Sequence, residues 1–226
     1  MKLSAYEEDV FKTSGGDLKI TFIGHASLML SFGGKIIQVD PTTQFGDYSQ
    51  FPKADLILIT HEHGDHFDLK AIEQSRTPKT EIVATAKCAE KMKDIVVMKN
   101  GDVKEFLGIK IEAVPAYNIV NVRGPGLPYH PNGDGNGYVL TFGDKRIYVA
   151  GDTENIPEMS QLKNIDVAFL PMNLPYTMTP EMVAQAAKVI KPKILYPYHF
   201  GNTDTSKLVA LLKDEKGIEI RIRNMK

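Results

Sequence analysis

The chain has 226 residues, of which 42% are hydrophobic and 24% charged, and its formal net charge is -1 at pH 7. A chain of this size can bury a substantial core, and its near-neutral charge gives no reason to expect a nucleic-acid partner. No stretch approaches the roughly 20 apolar residues of a membrane-spanning helix, and the acidic N-terminal residues do not resemble a signal peptide. We therefore expect a cytoplasmic protein without membrane contact.

The first half of the chain predicts short strands with helices between some of them. The apolar runs are LKITFI (18–23), SLMLSF (27–32), KIIQVD (35–40), DLILIT (55–60), EIVA (81–84), VKEF (103–106) and IKIEAV (109–114). Helices are predicted over 68–75 and 86–93. The second of these contains Cys88, the only cysteine, which we interpret as a small packing residue.

The second half repeats the pattern of the first. Residues 137–152, GYVLTFGDKRIYVAGD, resemble residues 27–41, SLMLSFGGKIIQVDP, because each segment has two strands around a glycine-containing hairpin turn and ends near an aspartate. Helices are predicted over 180–190, with Thr179 as the N-cap, and over 204–214. The sequence therefore predicts an α/β fold, with two similar β-rich halves packed sheet on sheet and helices outside, in a single domain spanning 1–226.

The strongest chemical signal follows the strand DLILIT, where the sequence continues His61-Glu62-His63-Gly64-Asp65-His66. Four potential metal ligands lie within these six positions. Imidazole nitrogens and carboxylate oxygens bind divalent ions such as zinc at about 2.0 to 2.2 Å. This spacing predicts a metal site at the end of the strand.

The HxHxDH spacing resembles the signature of the metallo-β-lactamase superfamily. That resemblance implies a four-layer αββα sandwich with a two-metal site at one edge of the paired sheets. Two further motifs agree with it, Gly151-Asp152-Thr153 after the strand RIYVA and His199 in ILYPYHFG. By resemblance, His61 and His63 would hold the first metal, His66, Asp65 and His199 the second, and Asp152 would bridge the two.

One expected ligand departs from the family pattern. The strand IKIEAVPAYN ends in Tyr117-Asn118, where many members place the third histidine of the first metal. His130 lies in the long Gly/Pro-rich loop that follows, and such a loop in a compact domain is typically functional or mobile. We favour His130 as the third ligand and keep Asn118 as the alternative. This arrangement resembles a subgroup of small metal-dependent hydrolases related to the ascorbate-phosphate lactonase-like branch.

Two residues earlier in the chain have open roles. His25 follows the first strand at Gly24 and either faces the metals or caps the strand end. Asp40 ends the strand KIIQV, where its carboxylate either orients a ligand histidine or forms an ordinary Asp-Pro turn.

The resemblance implies a metal-dependent hydrolase in which two divalent ions activate a hydroxide. Zinc is the favoured metal, with manganese or iron as alternatives. The catalytic candidates are Asp65 or Asp152, to take a proton from the hydroxide, and His130, to serve the leaving group, with Tyr117 and His25 as alternatives to His130. The expected partner is a small-molecule ester, lactone or phosphoester. A phosphodiesterase of the same fold is one alternative, and a catalytically silent metal- or partner-binding module is another. The sequence does not define the oligomeric state.

Overall fold

Two seven-stranded sheets face each other in the structure, a computed structural model that describes residues 6–225. In spatial order, the first sheet contains β1 (Glu7–Thr13), β2 (Gly16–Gly24), β3 (Ser27–Phe32), β4 (Lys35–Val39), β5 (Leu56–Leu58), β6 (Glu81–Ala84) and β7 (Val96–Val97). The second contains β16 (Glu219–Ile220), β15 (Ile194–Tyr198), β14 (Val167–Pro171), β13 (Lys145–Val149), β12 (Gly135–Phe142), β9 (Ile109–Ala116) and β8 (Val103–Phe106). A separate small hairpin pairs β10 (Val122–Gly124) with β11 (Leu127–Pro128).

The two sheets have the same topology, which confirms the predicted internal repeat. In each sheet the first four strands in chain order are antiparallel and the remaining strands run parallel to the fourth. The matching hairpins are closed by Phe32 paired with Lys35 and by Phe142 paired with Lys145. Gly33 and Gly34 both have positive φ, as a two-residue turn with the twist of a β-hairpin requires.

Side chains of the central strands alternate between two hydrophobic layers, as the strand period of two requires. In β5, Leu56 and Leu58 belong to the main core between the sheets, whereas Ile57 packs on the outer face against Ile72. The helices α1 (Leu69–Ser75) and α2 (Ala86–Lys91) cover that face, and α3 (Pro180–Ile190) and α4 (Thr205–Leu211) pack with the second sheet. The layer order is therefore the predicted αββα sandwich.

Helix boundaries follow local capping signals. Thr179 caps α3 as predicted, with its side chain accepting a hydrogen bond from the N–H of Met182, and Lys191 ends that helix in a left-handed conformation. The other three helices are shorter than predicted; α2 ends at Lys91 and α4 at Leu211, because the next residues leave helical geometry. Within residues 6–225, no helix is long and apolar enough to cross a membrane.

The first strand was missed at the sequence level. Its sequence, EEDVFKT, is mostly polar, and its side chains alternate between exposed and half-buried because β1 lies at the edge of the first sheet. Such a strand lacks the apolar run that identifies buried strands, so pattern analysis does not detect it.

Candidate metal centre

All six histidines of the chain lie at one edge of the paired sheets. His25 follows β2, His61, His63 and His66 follow β5, His130 lies between β11 and β12, and His199 follows β15. The two carboxylates Asp65 and Asp152 come from the ends of β5 and β13. Strand ends from both sheets meet at this edge. The repeated topology therefore brings histidines and aspartates from two distant halves of the sequence into one cluster.

The first group consists of three histidines. Nδ1 of His63 lies 3.1 Å from Nε2 of His61 and 3.2 Å from Nε2 of His130. Three nitrogens this close can act as ligands of one ion. The structure therefore brings His130, the favoured third ligand, together with His61 and His63.

The second group consists of His25, Asp65, His66 and His199. Oδ2 of Asp65 lies 3.1 Å from Nε2 of His25, 3.4 Å from Nε2 of His199 and 3.7 Å from Nε2 of His66. His25 thus faces the site rather than only capping β2. Its ring also stacks on that of Phe45, with the ring centroids 5.0 Å apart.

Asp152 lies between the two groups. Its Oδ1 is 3.3 Å from Nε2 of His66, whereas its Oδ2 is 3.4 Å from Nε2 of both His130 and His199. The side chain is 4% exposed. One carboxylate therefore contacts ligand candidates from both groups.

The turn before Asp152 requires a glycine. Gly151 has a φ of 66°, and a Cβ atom there would lie 2.9 Å from the backbone oxygen of Asn136 and 3.1 Å from Cβ of Thr60. Its N–H donates to the hydroxyl of Tyr198 at 2.8 Å. The close approach of β13 to the end of β5 brings Asp152 to the histidines.

Asp40 contacts the ring of His66 on the side that faces away from the metal centre. Its fully buried carboxylate accepts hydrogen bonds from Nδ1 of His66 at 2.8 Å and from the N–H and hydroxyl of Thr60 at 2.8 and 2.7 Å. This contact holds the proton on Nδ1 and directs Nε2 of His66 into the site. Of the two roles weighed for Asp40, the structure supports the orientation of a histidine.

Asn118 stands behind His130 in the same way. Its Oδ1 accepts from the N–H of His130 at 2.9 Å and from Nδ1 at 2.6 Å. Its Nδ2 donates to Oε1 of Glu154 at 3.2 Å and to the carbonyl oxygen of Tyr176 at 2.9 Å. Asn118 is therefore placed to orient His130, and its own oxygen points at that ring rather than into the group of three histidines.

Glu154 is a site residue that the sequence analysis missed. It is 1% exposed, and its carboxylate accepts hydrogen bonds from the backbone N–H groups of Ile119, Val120 and Asn121 at 2.7 to 2.8 Å. The only local signal was its position two residues after Asp152. The residue fixes the start of the loop that carries His130.

Tyr117 does not belong to the cluster. Its hydroxyl donates to the carboxylate of Glu158 at 3.1 Å, and it does not line the cleft over the histidines. The leaving-group role weighed for Tyr117 has no geometric support.

Three residues of the site adopt left-handed backbone conformations. The φ angles are 55° at His25, 43° at Asp40 and 48° at His199. Such values cost non-glycine residues of order 1 to 3 kcal/mol each and cluster at functional sites. The N–H of His199 also donates to the carbonyl oxygen of His25 at 2.9 Å, which ties the two sheets together at this edge.

The charges of the cluster favour a cation. Burial lowers the pKa of His130 to about 4 and also lowers the pKa of His61 and His63. Burial alone would raise the pKa of Asp65, but the nearby ring of His199 and the hydrogen bond with His25 hold it well below its ordinary value. His66 differs, because the carboxylates of Asp152 and Asp40 raise its pKa well above the ordinary value although burial opposes this. The neutral imidazoles of the first group and the ionised carboxylate of Asp65 are donors of the kind that bind divalent metals.

Several buried polar atoms of the cluster have no hydrogen-bond partner among the described residues. They are Nε2 of His66, both ring nitrogens of His199, and Oδ1 of Asp152. Buried polar atoms are rarely left unsatisfied in native proteins. A metal ion would satisfy the atoms that face the centre, so the residues present fit a metal site.

A cleft of about 350 Å³ opens over the cluster. Its walls include Arg123, Tyr129, Asn173 and Tyr176. By contrast, Tyr48 and Met178, two residues with aromatic or apolar side chains in the loops near the site, are completely buried in the hydrophobic layers. The cleft is large enough for a small organic substrate.

Comparisons with known proteins agree with this geometry. A family profile described as a β-lactamase superfamily domain matches residues 19–199. A UPF0173 metal-dependent hydrolase from Pelotomaculum thermopropionicum is 33% identical over 193 residues, which cover 81% of this chain and 84% of the relative. Another from Nanoarchaeum equitans is 30% identical over 218 residues, covering 92% and 97%.

A solved structure is also similar over the whole length. The crystal structure of a protein from Parabacteroides distasonis, assigned as a metal-dependent hydrolase, has 52% sequence identity and a TM-score of 0.93. The match covers 98% of this chain and 100% of that one.

Proposed function

The chain belongs to the metallo-β-lactamase superfamily and is a metal-dependent hydrolase, and from this premise we propose that two divalent ions at the cluster serve the hydrolysis of a small ester, lactone or phosphoester. The observation that carries the proposal is the position of Asp152, whose carboxylate lies 3.4 Å from His130 of the first group and 3.3 to 3.4 Å from His66 and His199 of the second. A carboxylate so placed can bridge two ions. We further propose that residues 1–226 act as one catalytic domain, because both sheets supply the site.

In this proposal His61, His63 and His130 would hold the first ion, through Nε2, Nδ1 and Nε2 respectively. Asp65, His66 and His199 would hold the second, and Asp152 would be shared between the two. His25 lies within the second group and is available as an additional ligand. Zinc fits the histidine-rich donor set best, and manganese and iron also accept mixed histidine and carboxylate ligands.

When bound, such ions would supply Lewis-acid polarisation of the substrate and a water that ionises near neutral pH. The protein residues fix the geometry around that chemistry. Asp40 and Asn118 hold His66 and His130 in the tautomers that present Nε2 to the centre. Glu154 secures the loop that carries His130.

Proton transfer is assigned to Asp65. Its side chain is 40% exposed, so it reaches the cleft, whereas that of Asp152 is 4% exposed. Because Oδ2 of Asp65 faces His25 and His199, Oδ1 is the atom that would take the proton of the attacking water. Both ring nitrogens of His130 are engaged, by Asn118 and by the first group, and we therefore assign His130 to metal binding alone.

The test combines metal analysis with a hydrolase screen. Wild type, Asp152→Asn and Asp214→Asn are loaded with zinc, and their metal content and turnover of lactones, thioesters and bis-aryl phosphodiesters are measured. Asp214 is an exposed aspartate outside the cluster and serves as the matched control. We expect two equivalents of metal and turnover of at least one class in wild type and in Asp214→Asn, and loss of both in Asp152→Asn.

The screen also separates the alternatives. Turnover confined to phosphodiesters would identify a phosphodiesterase. Two equivalents of metal without turnover of any class would instead favour the binding module, and a single equivalent in wild type would contradict the two-metal proposal.

A further inference from the structure

Arg123 is a positively charged side chain in the wall of the cleft, and it has no carboxylate partner among residues 6–225. Arg123 lies on β10 and is exposed, and among residues 6–225 its guanidinium forms no ion pair with an aspartate or glutamate. Its Nη2 instead lies 3.1 Å from Nε2 of His63. Arg123 therefore contacts the imidazole of His63 at Nε2, whereas Nδ1 of the same ring faces the metal centre.

The guanidinium is held in place by aromatic contacts. It lies over the ring of Tyr129, with its carbon 5.4 Å from the ring centroid, and Tyr129 in turn packs edge to face against Tyr176 at 5.2 Å. Stacking on an aromatic face leaves the N–H groups at the edge of the guanidinium free for other partners. The stacking contact thus holds the arginine over the cleft without using its hydrogen-bond donors, and Nη2 alone lies near a side-chain acceptor, Nε2 of His63, among residues 6–225.

The neighbouring histidine cannot satisfy those donors when the metal centre is loaded. Nδ1 of His63 points to His61 and His130 and is the nitrogen available to a metal. A neutral imidazole that gives Nδ1 to a metal carries its hydrogen on Nε2 and cannot accept there. Nε2 of His63 and Nη2 of Arg123 are then both donors, so among residues 6–225 no side chain accepts from the exposed guanidinium, and a bound anion can take the place of solvent there.

We propose that Arg123 binds an anionic group of the substrate, a carboxylate or a phosphate that is separate from the bond being hydrolysed. This assignment rests on the proposed hydrolase function and narrows its substrate class to small anionic esters or lactones. The fork of N–H groups on an arginine matches two oxygens of either group. Asn173 lines the same cleft and offers a side-chain amide as a second donor.

The experiment measures substrate preference and anion binding in zinc-loaded wild type, Arg123→Ala, Arg123→Lys and Arg76→Ala. Arg76 lies at the end of α1, away from the cleft, and is the matched control. The substrates are para-acetoxybenzoate and phenyl acetate, which differ by one carboxylate. Inorganic phosphate is the binding probe in calorimetry, and zinc content is measured in every variant so that loss of metal is not mistaken for loss of the anion site.

We expect the ratio of kcat/KM for para-acetoxybenzoate over phenyl acetate to fall about 10-fold in Arg123→Ala, with phosphate affinity falling by a similar factor. Arg123→Lys keeps the positive charge but loses the paired N–H groups of the guanidinium. Its kcat/KM ratio and its phosphate affinity should lie between those of wild type and Arg123→Ala. Arg76→Ala should match wild type. An unchanged ratio and unchanged phosphate affinity in Arg123→Ala, at full zinc content, would overturn the assignment.

The outcome distinguishes this assignment from the proposed function. Phosphate binding that depends on Arg123, in a wild type that hydrolyses nothing, would remove the proposed function and leave the anion site. Hydrolysis of both esters at rates that do not change in Arg123→Ala would instead support the proposed function and remove the anion site.

Discussion

Asn118 accepts two hydrogen bonds from His130 through the same side-chain oxygen, one from the backbone N–H at 2.9 Å and one from Nδ1 at 2.6 Å. The asparagine that stood as the alternative ligand is thus the residue that orients the histidine. The pair is 5% exposed at each position, so water does not readily replace the contact. Its effect on the metal centre can be tested directly.

Replacing Asn118 by alanine should weaken metal binding at the first site by roughly 10- to 100-fold, the usual effect of removing a group that orients a ligand. Asn118→Asp keeps an acceptor for Nδ1 and should lose less. Competition with a chelator measures the affinity. Asn121→Ala is the matched control, because Asn121 lies on the same loop but its side chain donates to the carbonyl oxygen of Thr177. Wild-type affinity in Asn118→Ala would contradict the orienting role.

Asp40→Ala should lower the affinity for the second metal ion by a similar factor, and it should also destabilise the protein. The substitution leaves Nδ1 of His66 and two groups of Thr60 without their buried acceptor, at a cost of about 1 to 3 kcal/mol for each unsatisfied group. Urea unfolding measures the loss of stability, and metal titration measures the loss of affinity. Asp68→Asn, at the N-cap of α1, should reduce the free energy of unfolding but leave metal affinity intact. An equal loss of affinity in both variants would point to a general loss of structure.

Acid should destabilise the metal-free protein through His130. Burial lowers its folded pKa to about 4 from an ordinary value of 6.5, so between these pH values the unfolded state binds the proton and the folded state does not. Stability is therefore higher above pH 6.5 and falls as the pH drops towards 4. Unfolding in urea with a chelator present, at a series of pH values, should give a smaller slope in this window for His130→Gln than for wild type. Equal slopes would show that His130 does not contribute.

Cys88 should resist thiol reagents in the folded protein. It is completely buried in the layer between the first sheet and α2, and burial raises the pKa of its thiol to about 11. Reaction with iodoacetamide near pH 8 should be slow until the protein is unfolded in urea, because the thiolate is the reactive form. Rapid labelling of the native protein would show that this layer opens readily.

Much of the fold could be predicted from local patterns. The runs SLMLSF and EIVA became β3 and β6 with the predicted boundaries, since buried strands carry continuous apolar residues and sharp turn signals. The edge strand β1 and the short strands β10 and β11 could not be found in this way, because their side chains are largely exposed and their pairing depends on distant partners.

By itself, the sequence determined which potential ligands the site could draw on: the HxHxDH run placed four of them after one strand, and the resemblance to the metallo-β-lactamase pattern implied that Asp152 and His199 would join them. Only the tertiary structure decided which residues stand beside these ligands. The choice between His130 and Asn118, the contact of Asp40 with His66 and the carboxylate of Glu154 all depend on the approach of loops from separate strands. Side-chain direction and hydrogen-bond partners across such distances are set by packing of the two sheets, which no local pattern encodes.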